Sequence, residues 1–223
     1  MEMNNTDEEN EIWLDKSDVE NRHVYHRLKR VFDFCASLLG LIILSPLFLI
    51  LAICIKSENW RGPVFYSQIR LGVGGRPFKM YKFRSMIVDA DKKIKDLLDK
   101  NEVDGAMFKM KEDPRITKVG KFIRKYSLDE LPQLYNVLIG DMSLVGPRPP
   151  LTREVKEYTE YDKQRLLVQP GCTGLWQVSG RNSLGFDEMV ELDLNYIEQS
   201  NILFDISIMF RTIKIMIWPN DAY

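Results

Sequence analysis

Four consecutive residues, Ser-Leu-Asp-Glu at 127–130, set two carboxylates, Asp129 and Glu130, just behind the cations Lys121, Arg124 and Lys125. An aspartate is anionic at neutral pH and can act as a nucleophile without a base. Attack on a diphosphate is within its reach if a divalent metal and arginines neutralise the phosphate charge. Magnesium suits such a site, because it takes oxygen ligands and works with one or two carboxylates plus substrate phosphate. The same residues have a plainer reading. Ser127 and Glu130 stand at capping-box spacing, and the helix dipole favours an acid there. Pro132 complicates that cap, since proline prefers the first helical position. Read locally, the four residues favour a cap over a nucleophile.

Two other segments place arginines in stiff loops. Gly146-Pro147-Arg148-Pro149 flanks Arg148 with prolines, which restrict the backbone and aim the side chain. A pre-aimed guanidinium suits bidentate recognition of phosphate. Gly180-Arg181-Asn182 holds another arginine in a glycine-containing turn. Two constrained arginines, a carboxylate pair and a membrane anchor together point to a phosphate site. Other chemistries are excluded. The only histidines, His23 and His26, both lie near the N-terminus, so neither a histidine triad nor a histidine-rich metal site is available. Cys35, Cys54 and Cys172 are scattered without metal spacing and read as reduced, structural thiols. A net charge of −1 gives no overall electrostatic case for nucleic acid.

The positioning elements begin with the anchor. Residues 31–55 form an apolar run whose single charge is Asp33. At about 1.5 Å per residue such a run is long enough to cross ~30 Å of hydrocarbon. Ser45-Pro46 sits at its centre, where proline kinks or breaks a helix and the serine hydroxyl can take up a freed carbonyl. Arg27, Lys29 and Arg30 precede the run, and Lys56 and Arg61 follow it. A spanning helix carries its cations mainly on one side, whereas cations at both ends fit a helix that enters, bends and returns. These features leave a kinked span and a re-entrant helix both open.

After the run, residues 63–85 alternate around Gly72, Gly74 and Gly75, which predicts a β-hairpin. Helical periodicity appears over 86–100, from Ser127 through Ile139 to Gly140, over 152–168 and over 186–200. Residues 101–115, 143–151 and 169–185 read as irregular. The stretch 202–218 is apolar with Asp205, Arg211 and Lys214 interspersed, and ends near Trp218. It reads as core or as a helix in the membrane interface. Residues 1–26 carry a strong acidic excess and read as a mobile arm. The organisation expected is an arm (1–26), a membrane element (27–56) and a cytosolic domain (57–223), in a mostly helical α+β fold. An amphipathic helical surface could support a homodimer.

Six pieces in this order carry a family resemblance: KRVFDF, the ILSP break, YKFRSM, RKYSLDELPQLYNVLIGDMSLVGPRP, QPGCTGLWQVSGRN and ELDLNYIEQSNILFDISIMF. The chain resembles the bacterial sugar transferases, the monotopic phosphoglycosyl transferases that start polysaccharide and glycan assembly. The resemblance runs from about Lys29 into the C-terminal helix. It implies a re-entrant helix broken at Ser45-Pro46. The catalytic domain would lie on the cytosolic face of the bacterial inner membrane, held by interfacial amphipathic helices. It implies that Asp129 attacks a UDP-sugar, releases UMP and passes the phosphosugar to polyprenyl phosphate, undecaprenyl phosphate being the expected carrier. Asp129 would also contact magnesium, with Glu130 assisting. Arg124, Arg148 and Arg181 match positions expected to bind phosphate or nucleotide. The chain resembles the short form of the family, without a multi-helix N-terminal region. Two rivals remain at this stage: an anchored module that binds acidic ligands through Arg148 and Arg181, and a membrane phosphatase using the same carboxylates.

Overall fold

The computed structural model describes residues 11–90, 113–180 and 184–218. A short helix, α1 (Lys16–Glu20), leads into α2 (His23–Ile43) and α3 (Ser45–Glu58). The hairpin β1 (Phe65–Leu71) and β2 (Pro77–Phe83) follows, then α4 (Lys118–Lys125), a 3-10 turn (Leu128–Glu130) and α5 (Gln133–Ile139). Strand β3 (Ser143–Val145), α6 (Thr152–Val155), α7 (Glu160–Lys163) and a second 3-10 turn (Gln164–Leu167) come next. The order closes with β4 (Gly171–Thr173), α8 (Leu175–Ser179), α9 (Phe186–Gln199) and α10 (Ile202–Ile217). The architecture is mostly helical α+β, as expected, with a two-stranded antiparallel sheet and a small parallel pair, β3-β4.

The apolar run divides where the Ser-Pro pair predicts. α2 and α3 meet at Leu44 with their axes bent by 59°. Pro46 lies in the first turn of α3, where a missing N–H breaks no helical bond. Ser45 Oγ donates to the Ile42 carbonyl at 2.8 Å, taking up an acceptor freed by the break. Among the described residues no single helix is long and apolar enough to cross a membrane; the bent pair reaches that length and composition only when its two helices are taken together.

Both limbs of this pair are anchored on the same domain. On α2, the buried Asp33 accepts the Leu144 N–H at 3.1 Å. Lys29 pairs with Asp205 of α10 at 2.8 Å, and the Tyr25 and Tyr196 hydroxyls donate to the same carboxylate. Arg30 donates to the Val137 and Leu138 carbonyls at the C-terminus of α5, the end where a cation is favoured. On α3, Leu51 and Ile55 are buried in a cluster with Phe83 and Ile123. Between these anchors Leu38, Leu39, Ile42, Ile43, Leu49 and Ile50 remain exposed.

The hairpin forms in the predicted place, paired from Phe65↔Phe83 to Leu71↔Pro77. Gly74 and Gly75 take φ of +62° and +76° in its turn, conformations that side chains with a Cβ avoid. Elsewhere the fold departs from the sequence reading. The helix expected over 152–168 is three pieces, because Thr159 starts a new helix. Its N–H donates to Asp162 Oδ2 at 2.8 Å and its hydroxyl accepts from the Asp162 N–H at 3.2 Å. The stretches 143–151 and 169–185 are only partly irregular: they supply β3 and β4 in parallel register, Ser143↔Gly171 and Val145↔Thr173, and the second also supplies α8. Such short strands carry too few residues to show a period. The start of the helix expected over 86–100 is instead a bridge and a turn through Ala90, and the rest lies outside the described residues.

The acidic arm is also not free from residue 11 onward. The Leu14 N–H donates to Gln164 Oε1 at 2.7 Å, Trp13 packs edge-on against Tyr161, and Val19 is buried in the main core. A few apolar residues among the acids, Ile12, Leu14 and Val19, provide the docking surface that overall composition concealed.

Candidate active site

The carboxylate pair sits on a tight turn rather than at a capped helix start. Residues Leu128–Glu130 form a 3-10 turn preceded by Ser127 in the left-handed region, at φ +54°, and the Ser127 side chain makes no capping bond. The predicted capping box is therefore absent. Ser127 closes α4, whereas α5 starts afresh behind Pro132. A left-handed non-glycine residue is uncommon and marks a backbone held by its surroundings. It turns the chain so that Asp129 is buried, at 8% exposure, directly beyond the cationic end of α4.

One charged neighbour of Asp129, Lys82, comes from far along the chain. Asn136, fully buried on α5, donates from Nδ2 to the Lys79 carbonyl at 2.7 Å and accepts the Tyr81 N–H at 3.0 Å. This pair of bonds locks α5 against β2. It brings Lys82 to the turn, where its ammonium lies 2.6 Å from Glu130 Oε1. Burial pushes the Asp129 carboxyl up to about 6; Lys82 and Arg124 pull against that rise and Glu130 adds to it. Its own backbone amide favours the charged form by less than these charges do.

Arg148 stands in a neighbouring loop that is built backbone against backbone. The Gly146 N–H donates to the Thr173 carbonyl at 2.9 Å, and the Gly171 N–H donates to the Pro147 carbonyl at 2.8 Å. A Cβ on Gly171 would fall 2.1 Å from Gly146 N, so only glycine permits this approach. Arg148 Nη1 lies 3.8 Å from Glu154 Oε1. The buried Arg70 of β1 donates to the Pro149 carbonyl at 3.0 Å, and its Nε has no hydrogen-bond partner among the described residues. Burial and then the adjacent Arg148 charge lower the Arg70 pKa to about 10, while Glu154 and Glu130 oppose the fall. Arg70 thus stands between the arginine loop and the carboxylate pair.

The structure brings Arg124, Asp129 and Glu130 together, and sets Arg148 in the adjoining loop. Arg181 lies outside the described residues. Sequence reading missed Lys82 and Arg70, both in the hairpin. Their signal was faint, being cations in a strand pattern where a surface position is the ordinary expectation. The donor set fits magnesium. Asp129 and Glu130 offer oxygen ligands, and among the described residues no group of three His, Cys, Asp or Glu forms a complete metal cage. An ion held by one or two carboxylates, with water and substrate phosphate as its remaining ligands, matches that set.

Residues 24–219 match the family model described as bacterial sugar transferase. The chain is 51% identical over 195 residues to the galactosyl transferase CpsE of Streptococcus agalactiae, covering 87% of this chain and 43% of that protein. It is 46% identical over 200 residues to the undecaprenyl-phosphate galactose phosphotransferase of Salmonella typhimurium, covering 88% of this chain and 42% of that protein. It is 40% identical over 199 residues to the exopolysaccharide production protein ExoY of Sinorhizobium fredii, covering 87% and 88%. The chain therefore spans under half the length of the first two relatives and most of the third. With the model matched across all but the ends of the sequence, the chain belongs to the bacterial sugar transferase family.

Proposed function

We propose that this protein is a phosphoglycosyl transferase that moves a sugar-1-phosphate from a UDP-sugar to polyprenyl phosphate, as the first membrane step of exopolysaccharide, capsule, O-antigen or glycan assembly. The carrying observation is Asp129: a buried carboxylate in a basic setting that, among the described residues, no other side chain claims by a hydrogen bond. A structural aspartate buried to this degree is ordinarily paired.

In the first step an Asp129 oxygen attacks the β-phosphorus of the UDP-sugar. The bond from that phosphorus to the bridging oxygen breaks, and UMP leaves with the electron pair. In the second step a phosphate oxygen of the polyprenyl phosphate attacks the same phosphorus. The aspartyl–phosphorus bond breaks, the Asp129 carboxylate is regenerated, and a polyprenyl diphosphate sugar results. Splitting the transfer lets each substrate meet the nucleophile in turn. Lys82 holds Glu130 and keeps positive charge beside Asp129. Arg124 adds to that charge, and Arg148, in the loop that Arg70 holds at the Pro149 carbonyl, binds donor phosphate. Magnesium, held by Asp129 with Glu130 beside it, would neutralise phosphate charge and polarise the phosphorus. Arg181 is assigned to the nucleotide on the family pattern.

We read the bent helix pair as re-entrant, with the domain on the cytosolic face. Asp33 is tied to the domain at one end and Ile55 is buried in it at the other. From Asp33 to the joint, α2 rises only about 16 Å, roughly half the ~30 Å hydrocarbon thickness.

Purified protein with magnesium, undecaprenyl phosphate and a panel of UDP-sugars should release UMP and form a lipid-linked sugar diphosphate. Full activity in Asp129→Asn would overturn the nucleophile assignment. Free sugar phosphate formed without a lipid acceptor would favour a hydrolase.

A further inference from the structure

α4 is apolar on two faces that serve different ends. Ile123 is fully buried against Leu51, Ile55 and Phe83, which fastens the helix to α3. Phe122 and Tyr126 stand four residues apart on another face, their rings 5.1 Å apart. Opposite them, Met216 and Ile217 of α10 complete a cleft of about 360 Å³ whose fifth wall residue is Leu128. The cleft is broad and open to its surroundings, a shape suited to a chain laid along it and not to an enclosed small ligand.

Three features say what the cleft holds. It is lined by carbon-rich side chains and ends at Leu128, the residue bonded to Asp129. Arg124 of the same helix favours the charged form of Asp129, so a cation stands near the carboxylate that Leu128 adjoins. At the other end the cleft opens onto a stripe of α10, where Phe210, Ile213 and Ile217 recur at helical spacing and are all exposed, with Trp218 beside them. A ligand suited to this layout has a long apolar tail and one anionic head. A nucleotide sugar has no such tail.

We infer that the cleft between α4 and α10 binds the isoprenoid chain of the acceptor lipid, with its phosphate toward Arg124 and Asp129. This rests on the transferase reading above. It assigns the two substrates to different walls of the site: the donor phosphates to the Arg148–Arg70 side, and the acceptor to the α4–α10 side. The tail reaches the cleft along the apolar α10 stripe without crossing water, and the head then arrives beside the phosphosugar-bearing carboxylate.

The test uses the full chain in detergent micelles and separates the two half-reactions. Met216→Trp fills the cleft, and Met216→Leu keeps its volume and is expected to behave as wild type. Without acceptor, the single-turnover release of UMP should be the same in all three proteins. With acceptor, Met216→Trp should raise KM for undecaprenyl phosphate about tenfold. It should also abolish the wild-type preference for that lipid over the two-isoprene geranyl phosphate. An unchanged KM and an unchanged chain-length preference would overturn the proposal. Should Met216→Trp lose the UMP burst as well, photolabelling of wild-type protein decides. A benzophenone-bearing polyprenyl phosphate that marks Phe122, Tyr126 or Met216, and is displaced by undecaprenyl phosphate, supports the cleft. Labelling confined to other residues, or labelling of the cleft by a phospholipid probe that undecaprenyl phosphate does not displace, overturns it. A wild-type protein without any UMP burst would sink the nucleophile reading instead, while the photolabelling result would still report on the cleft.

Discussion

The Lys82 ammonium lies 2.6 Å from Glu130 Oε1, so it pairs with the neighbour of Asp129. Among the described residues Lys82 is nonetheless the strongest attractive charge on Asp129, holding its pKa at about 6 against the cost of burial. Lys82→Met should move the acidic limb of the pH–rate profile to higher pH and lower the rate at pH 7 by about tenfold. A profile unchanged in position would show that Lys82 serves only to anchor Glu130.

The raised Asp129 pKa sets a pH dependence for UMP release. The carboxylate must be ionised to attack, so the single-turnover rate should climb about tenfold per pH unit below about 6 and level off above it. Rapid-quench measurement of UMP across pH 5–8 checks this. A flat profile over that range would rule out Asp129 as the ionising nucleophile.

The same shift has a consequence for stability. Between the ordinary value of 3.8 and about 6, the folded state holds a proton that the unfolded chain has released. Stability contributed by this group therefore falls as pH rises through that window, and the loss is complete above it. Asp129→Asn should be inactive yet more stable above pH 6, by at most about 3 kcal/mol, with the gain vanishing near pH 4. Melting temperatures of both proteins at pH 4.5 and pH 8 would show the difference.

Arg70 reaches across 79 residues to donate to the Pro149 carbonyl, one residue beyond Arg148. Arg70→Met should loosen that loop and raise KM for the UDP-sugar about tenfold with a smaller change in kcat, whereas Arg70→Lys should recover part of the loss. Equal loss of kcat and kcat/KM would place Arg70 on the transition state instead.

The bend at Leu44 depends on Pro46 and on the Ser45 bond to the Ile42 carbonyl. In a continuous helix Pro46 would be an interior residue and cost about 3 kcal/mol, so Pro46→Ala removes that penalty and should favour a straighter helix. Labels at the N-terminal arm and the C-terminus should report the same face in the wild type. In Pro46→Ala a fraction should report opposite faces. Opposite faces in the wild type would contradict the re-entrant reading.

Much of this architecture is legible along the chain because its signals are local. The apolar run, the Ser-Pro break, the hairpin turn at Gly74 and Gly75, and the helices over 133–139, 186–199 and 202–217 each show in neighbouring residues. The 152–168 helix misled because its polar pattern is that of a helix, while Thr159 and Asp162 spend their side chains on a cap that restarts the chain. Strands β3 and β4 are three residues each, too short for a pattern, and depend on glycines that allow two loops to meet.

The sequence by itself determined the family, through the order of its motifs, and named the candidate residues: Asp129 beside Glu130, Arg124 one turn upstream, and Arg148 between prolines. The tertiary structure decided what surrounds them. It replaced the capping box with a left-handed Ser127, brought Lys82 from 48 residues away to Glu130, and set Arg70 behind the Arg148 loop. The reason is physical. A carboxylate's identity is local, but its pKa and its partners depend on burial and on charges that only long-range packing, here Asn136 bridging α5 to β2, can place.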